Sequence, residues 1–504
     1  MNSLEYIPEE VREFFSKEGG RSLLVGGMPG TGKTTFALQL LEGLTAPERG
    51  LYLTTRVSDE SLYKQFPWLK DKEMKARIVD SSRMLLDALT PPEEEQKPAD
   101  PNKTRIVASS KDFLQSIGDK GLSPPSRVDR TRLRILTERM RIPEVERIYD
   151  SIETILPEKP TLVIDSVEGI TGKYGVDQED FIFTLQKDLA EHSNTNIVFV
   201  TEKSEPDPVE FLVDGVIRFR NEVFEDKRVR HMTIMKLRAT EIKQPAYLVT
   251  LKDGRFRSFR PFGPVYKPGR WTPFPDTDTH YSTGIPDLDS LLGGGYAKGS
   301  YNVIEVDLNV PDDEYQLVLR PILLNFLMHE RGIVAVLNGG SHSQAMKEDL
   351  ARFMPEEQFD RLVRVADYFI TQTNLPYVMA LGRREEALRI WRANQEFLRG
   401  KDNKPIMDYT GFDTLEYLQG GEVAIKGLLE AVSHIKISND IGVGVLKPGL
   451  KSAQEIVNMA DTYLRVTDID RRPCIYGLKP KTILYALVPD EEKGIPHVKL
   501  EPVV

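Results

Sequence analysis

The chain is poor in the residues that mark an exported, metal-caged or membrane protein. A single cysteine, Cys474, among 504 residues excludes an intramolecular disulfide framework and suits a reducing compartment. Seven histidines show no metal-ligand spacing with it, and no serine or cysteine stands in a nucleophile elbow. No apolar run approaches a membrane span, and the start Met1-Asn2-Ser3-Leu4-Glu5-Tyr6 lacks a charged-then-apolar leader pattern. The expectation is a cytoplasmic protein with no membrane contact. Cationic excess is also missing, with 67 Lys+Arg against 77 Asp+Glu and a net charge of −10. Such a chain does not attract polyanions as a whole, so any nucleic-acid contact would need a local patch.

What is present is a complete phosphate-binding loop, Gly27-Met28-Pro29-Gly30-Thr31-Gly32-Lys33-Thr34, followed by Thr35. Glycines 27, 30 and 32 let backbone N–H groups turn toward phosphates, Lys33 reaches the β and γ oxygens of ATP, and Thr34 offers a hydroxyl to Mg²⁺. The flanks fit: Ser22-Leu23-Leu24-Val25-Gly26 reads as a strand, and Thr35 to Leu41 has helical spacing. A helix N-terminus at this point adds its positive end to the anion cradle. Pro160-Thr161-Leu162-Val163-Ile164-Asp165 reads as a buried parallel strand that delivers Asp165 at the edge where ligands sit, to orient Mg²⁺ through water opposite Thr34.

A third apolar strand, Asn196 to Val200, runs into Thr201-Glu202-Lys203, where a sheet edge can sense the γ-phosphate. Asp214-Gly215 and Met235-Lys236-Leu237-Arg238 follow. In this order of parts, residues 20 to 260 resemble the KaiC branch of the RecA-like ATPases. The helix-like Ile7 to Phe15 before the loop strand resembles archaeal relatives grouped with the gas-vesicle regulator D family. The resemblance implies that Lys236 and Arg238 reach the nucleotide of an adjacent protomer, and therefore a homo-oligomer, a hexamer or a dimer. Alternating basic and apolar residues also fit a solvated sheet face. The stretch 218–260 is rich in Arg and Lys and offers a local RNA or partner patch.

One departure bears on hydrolysis. KaiC-like proteins end the strand after the loop helix in two glutamates that activate water, whereas this chain has Arg56 and Val57 there. Neither can deprotonate water. Asp59 and Glu60, at the start of the next helix, and Glu168, just beyond Asp165, are the remaining carboxylates for that role. Slow turnover, or binding without turnover, is the expectation.

Two fused α/β modules, each RecA-like with a mostly parallel sheet, account for the length. The first spans 1–260, with a polar, Pro-rich excursion over about 91–130 and a basic amphipathic helix from Arg132 to Arg141. A Pro-rich linker, 261–280, precedes a second module, 281–504, which opens with Ser282 to Gly295 in the manner of a KaiC-type entrance. Where its phosphate loop should stand, the sequence is Glu305-Val306-Asp307-Leu308-Asn309-Val310-Pro311-Asp312-Asp313-Glu314, without lysine or glycine and repulsive to triphosphate. Asp408 is a candidate relic of the metal strand, and Lys479-Pro480-Lys481 of the Lys-x-Arg segment. Two functional classes follow: a KaiC-like regulatory ATPase with one Mg·ATP per chain, or a nucleotide-held scaffold for a transcription regulator or an RNA–protein assembly.

Overall fold

The computed structural model describes residues 3–70, 78–80, 142–267 and 269–504. The expected excursion over 91–130 and the helix over 132–141 lie outside them. The chain divides into two compact units, the first Met1–Val223 with Val229–Ser258 and Val504, the second Phe224–Arg228 with Phe259–Val503.

In the first unit the strands are β1 (Ser22–Gly27), β2 (Gly50–Thr54), β3 (Ile78–Asp80), β4 (Thr161–Asp165), β5 (Asn196–Val200), β6 (Gly215–Phe224), β7 (Lys227–Leu237), β8 (Ala246–Thr250) and β9 (Arg257–Ser258). They form one sheet in the order β3-β2-β4-β5-β1-β6-β7-β8-β9. From β3 through β6 the pairing is parallel. The parallel strands β1, β2, β4 and β5 are buried along nearly their whole length, which is why they read as continuous apolar runs rather than alternating ones. Two apolar cores, one on each face, hold helices α1 (Glu9–Ser16), α2 (Lys33–Leu44) and α3 (Asp59–Gln65) against one side and α4 (Pro143–Ile155) and α5 (Val167–Tyr174) against the other.

The second unit repeats this plan. Its strands β10 (His280–Tyr281) and β11 (Tyr296–Ala297) pair as a separate ribbon. The large sheet comprises β12 (Tyr301–Val306), β13 (Gly332–Val336), β14 (Val363–Asp367), β15 (Val378–Ala380), β16 (Ile406–Gly411), β17 (Ile441–Leu446), β18 (Thr462–Ile469), β19 (Arg472–Lys479), β20 (Tyr485–Pro489) and β21 (Val498–Pro502), in the order β15-β14-β13-β16-β17-β12-β18-β19-β20-β21. Matching β12 to β1 maps the whole order of the first sheet onto the second, with β15 added at the edge. Two large mixed α/β sheets of one topology are consistent with tandem RecA-like P-loop domains.

The duplication extends to side chains. In the first unit Asp214 accepts from the Ser22 backbone N–H at 3.1 Å and returns its own N–H to the Ser22 carbonyl at 3.0 Å. In the second, Asp461 and Tyr301 repeat both bonds, each at the strand starts. Gly215 follows Asp214 because a Cβ there would stand 2.8 Å from Leu23 and 3.0 Å from Leu237.

The proline-rich stretch after residue 260 is more than a tether. Trp271 is buried, donates its backbone N–H to the Phe353 carbonyl and stacks on His497 at 4.5 Å. The Asn325 side chain accepts from both the Trp271 indole and the Phe274 backbone. Aromatics between the prolines give this segment apolar area to bury on the second unit.

Candidate functional site

The loop between β1 and α2 lies at the carboxyl edge of the first sheet. Gly27, Gly30 and Gly32 take φ values of 151°, 77° and 107°. At Gly27 a Cβ would stand 2.5 Å from the Phe219 carbonyl, so only glycine fits. Gly32 is the N-cap of α2 and makes no side-chain cap bond. The first N–H groups of the helix therefore point out of the loop with the positive end of the helix dipole behind them.

Lys33 is buried and its ammonium donates to the Gly27 carbonyl at 2.6 Å, the Met28 carbonyl at 2.9 Å and Glu202 Oε2 at 3.1 Å. Register brings this last contact about. Val25 pairs with Val200, so two residues on, Gly27 and Glu202 are level at the sheet edge. The Glu202 backbone N–H donates to Glu168 Oε1 at 3.0 Å, while Glu168 Oε2 is buried with no partner. Arg56 NH1 lies 3.8 Å from Glu202 Oε1.

Thr34 donates its hydroxyl to Asp165 Oδ2 at 2.7 Å, and the buried Tyr52 hydroxyl donates to the same oxygen at 2.6 Å. Burial pushes the Asp165 carboxyl above its ordinary range, and the two donated bonds pull partly the other way. Burial and the Asp165 charge together drive the Tyr52 phenol well up, so it remains a donor. Thr55 pins the following turn: its hydroxyl donates to the Ser166 carbonyl and accepts from the Ser166 N–H. Among the described residues no three His, Cys, Asp or Glu converge as a metal cage. A divalent cation here would rest on Thr34, on Asp165 through water, and on the ligand's own phosphates.

Asp59 and Glu60 occupy the first turn of α3, which Ser58 caps. The structure thus brings Lys33, Thr34, Asp165, Glu168, Glu202 and Arg56 together. Lys236 and Arg238 lie elsewhere. A two-residue turn reverses β6 into β7, and the Arg238 N–H reaches the Asp214 carbonyl. Gly27 is level with Phe219 and Leu23 with Gly215, so the two cations sit about 13 Å or more below the loop at ~3.3 Å per residue. Lys236 donates to the Glu210 and Val213 carbonyls at 2.8 and 2.6 Å, and burial with the neighbouring Arg238 lowers its pKa. Lys479 makes the same pair of bonds in the second unit, to Val457 and Ala460, five and two residues before β18 as Glu210 and Val213 are before β6. Arg238 is half exposed and holds Asp214 at 3.2 Å. In the basic stretch 218–260, Arg218, Lys227 and Arg230 are buried, which removes three cations from any polyanion-facing surface.

The second unit carries a loop of equal length, 307–311, between β12 and α6 (Asp312–Met328). Asp312 thus takes the place of Lys33. Glu305 pairs with Leu446, so Lys447 takes the place of Glu202, and Lys447 Nζ lies 2.7 Å from Asp312. The lysine–carboxylate pair of the first unit recurs with its charges exchanged. Asp307 accepts from Arg465 at 2.8 Å. Asp408 lies inside β16, three residues before its end, and accepts from Gln395, so it is not at the edge that Asp165 occupies. Burial, with Asp440 nearby, raises it to about 7.

Sequence reading missed Tyr52, the hold of Glu202 on Lys33 and the approach of Arg56. The available signal for Tyr52 was a polar-tipped aromatic in an otherwise aliphatic buried strand, which calls for a hydrogen-bond partner.

A family model described as GvpD gas vesicle protein, P-loop domain, matches residues 11–239, and one described as GvpD basic region 2 matches residues 270–379. Protein GvpD2 of Halobacterium salinarum is 24% identical over 99% of this chain and 97% of its own length. Protein GvpD1 of the same organism is 26% identical over 72% of this chain and 62% of its own. The circadian clock oscillator protein KaiC of Thermosynechococcus vestitus is 28% identical over 56% of this chain and 47% of its own length, so the match spans under half of that protein.

Proposed function

Because the chain is homologous to the GvpD gas vesicle proteins and to the KaiC branch of the RecA-fold ATPases, we propose that it is an ATP-binding regulatory protein with one Mg·ATP site per chain and slow hydrolysis. The observation that carries this reading is the first-unit loop: glycines at positive φ, an uncapped helix start, Lys33 inside the loop and the Thr34–Asp165 pair. The backbone of Gly27 to Thr35 and Lys33 hold the phosphates. Thr34 and Asp165 hold Mg²⁺, which when bound neutralises charge on the phosphate oxygens. Glu202 contacts Lys33 and Glu168 accepts from the Glu202 N–H, so Glu168 is the candidate base tied to the loop; Asp59 and Glu60, in the first turn of α3, are the alternatives. With Arg56 where the relatives' water-activating glutamate is expected, slow turnover follows.

The second unit is a pseudo-domain in this reading, since Asp312 and the Lys447 pair fill the positions that would need a free cation. It presents a surface to a protein partner. The nucleotide within reach of Lys236 and Arg238 is another protomer's, because their own loop is at the other end of the strands. That implies a homo-oligomer, dimer or hexamer. The repeated carbonyl contacts of Lys236 and Lys479 favour a structural role for Lys236 and leave Arg238 as the better trans-acting cation. The scaffold reading, with nucleotide bound and not turned over, is supported by Arg56; RNA contact through 218–260 is disfavoured by the buried cations there.

The test is turnover at saturating Mg·ATP with Lys33→Ala in parallel. Turnover abolished in the variant supports the ATPase; tight, Lys33-dependent binding without turnover supports the scaffold; binding unaffected by Lys33→Ala refutes the site. Arg238→Ala with normal turnover and normal mass by light scattering would remove the trans-acting role.

A further inference from the structure

We infer that Glu202 is an internal anion that occupies Lys33 in place of a phosphate, and that Arg56 takes the Glu202 carboxylate over when nucleotide enters; this rests on the reading of the first-unit loop as the Mg·ATP site. An ammonium has three donors, and all three of Lys33 are used, by the Gly27 carbonyl, the Met28 carbonyl and Glu202 Oε2. A phosphate oxygen can engage Lys33 only by displacing one of them. The two carbonyls belong to the loop that wraps the phosphates. Glu202 is the partner that can leave by side-chain rotation alone, since its backbone is fixed through its N–H to Glu168 Oε1.

Electrostatics also requires it to leave. A carboxylate 3.1 Å from Nζ would lie within about 6 Å of any phosphate oxygen on the same ammonium. At an effective dielectric near 20, that repulsion weakens binding on the order of 10- to 100-fold. Arg56 is the receiver within reach: NH1 is 3.8 Å from Glu202 Oε1, and its side chain is 51% exposed, so it is free to close. The guanidinium is permanently charged and its fork matches a carboxylate. Arg56 precedes the first residue of α3 by three positions, which ties nucleotide entry to the segment between β2 and that helix.

The second unit shows the same positions without a receiver. Lys447 and Asp312 are paired. Thr54 pairs with Asp165 and Asp165 with Val200, while Val445 pairs with Gly411 and Thr410 with Val336, so by register Gly339 stands where Arg56 does, directly after Asn338. Asn338 is buried, donates to Asp413 at 2.9 Å and accepts from the Tyr409 hydroxyl at 3.0 Å. A glycine has no side chain and its neighbour is a neutral amide, so neither can draw the Lys447–Asp312 pair apart. An arginine in the first unit, where a carboxylate would serve hydrolysis, gains a purpose by this contrast: it is a positioning residue that acts through Glu202.

The experiment is a double-mutant cycle on Mg·ATP affinity by titration calorimetry, with the full chain, Glu202→Gln, Arg56→Gln, the combined variant, Arg56→Lys and Lys33→Ala. Glu202→Gln should tighten binding by about 10-fold or more. Arg56→Gln should weaken it by a similar factor, and Arg56→Lys should restore most of the loss. In the combined variant the loss from Arg56→Gln should largely vanish, because there is no carboxylate left to remove. An additive cycle would mean that Arg56 touches phosphate directly and overturns the handover, as would unchanged or weaker binding in Glu202→Gln. Binding that ignores Lys33→Ala refutes the site reading and this inference with it, a result distinct from additivity in a Lys33-dependent site.

Discussion

Replacing Tyr52 with phenylalanine tests how the metal-side aspartate is held. The ring stays in a fully buried position and only the hydroxyl that donates to Asp165 Oδ2 at 2.6 Å is lost. A hydrogen bond to a charged group contributes about 1.5–3 kcal/mol. Relief of the hydroxyl's own burial places the net loss toward about 1.5–2 kcal/mol, or roughly 3–8 °C for a unit of this size. Proton linkage makes the loss depend on pH. The Asp165 carboxyl is already raised by burial, and removing a bond to its ionised form raises it further. For a group raised on folding, the stability it contributes is present below the unfolded carboxylate pKa of about 3.9 and is lost as pH rises through the folded value. As pH rises toward 8, Asp165 moves into its charged form, and Tyr52→Phe increasingly forfeits the charged bond. As pH falls toward 4, Asp165 moves into its protonated form through its raised folded value, and the difference shrinks toward that of a neutral bond, about 1 kcal/mol. Urea unfolding of nucleotide-free protein at the two pH values measures both, and the acid limb of Mg·ATP binding should move to higher pH in the variant. Equal losses at pH 4 and pH 8, or a loss under about 0.5 kcal/mol, would refute the claim that this hydroxyl stabilises the Asp165 carboxylate.

Lys33→Ala removes the ammonium that meets the phosphates and should weaken Mg·ATP by at least 100-fold, about 3 kcal/mol; calorimetry would expose a smaller effect. The charge-exchanged pair at Asp312 and Lys447 predicts one nucleotide per chain, and a measured stoichiometry of two would refute the pseudo-domain. Gly215→Ala forces a methyl to within 2.8 Å of Leu23 and should cost about 1–3 kcal/mol in the unfolding of the first unit. Glu314 is raised to about 7 by burial and the neighbouring Asp468 and Asp313, so its contribution to stability is present below its unfolded value and lost as pH rises through about 7. Glu314→Gln should therefore stabilise the second unit at pH 8 and leave it little changed at pH 4, as a thermal melt at each pH would show.

The sequence determined the parts whose geometry is local. Glycines at 27, 30 and 32 fix the backbone of a loop eight residues long, the helix start follows at once, and the loop could be recognised without knowing what packs around it. Runs such as Leu162-Val163-Ile164 and Ile197-Val198-Phe199 announced buried parallel strands because a strand covered on both faces has no polar side to show. Loss of lysine and glycine in the second loop was equally visible. Tertiary structure decided everything that depends on which strands are neighbours and in what register. Tyr52 meets Asp165 across 113 residues and Glu202 meets Lys33 across 169, because the sheet order sets β4 between β2 and β5, and β5 beside β1. The antiparallel return of β7 carried Lys236 and Arg238 to the opposite edge from the loop, and no spacing in the sequence encodes that reversal of end. The exchange of charge between Lys33–Glu202 and Asp312–Lys447 became visible only when two sheets of one topology could be matched residue by residue. Side-chain pairing across strands is set by backbone hydrogen-bond register, a long-range property that a linear pattern of residue types does not carry.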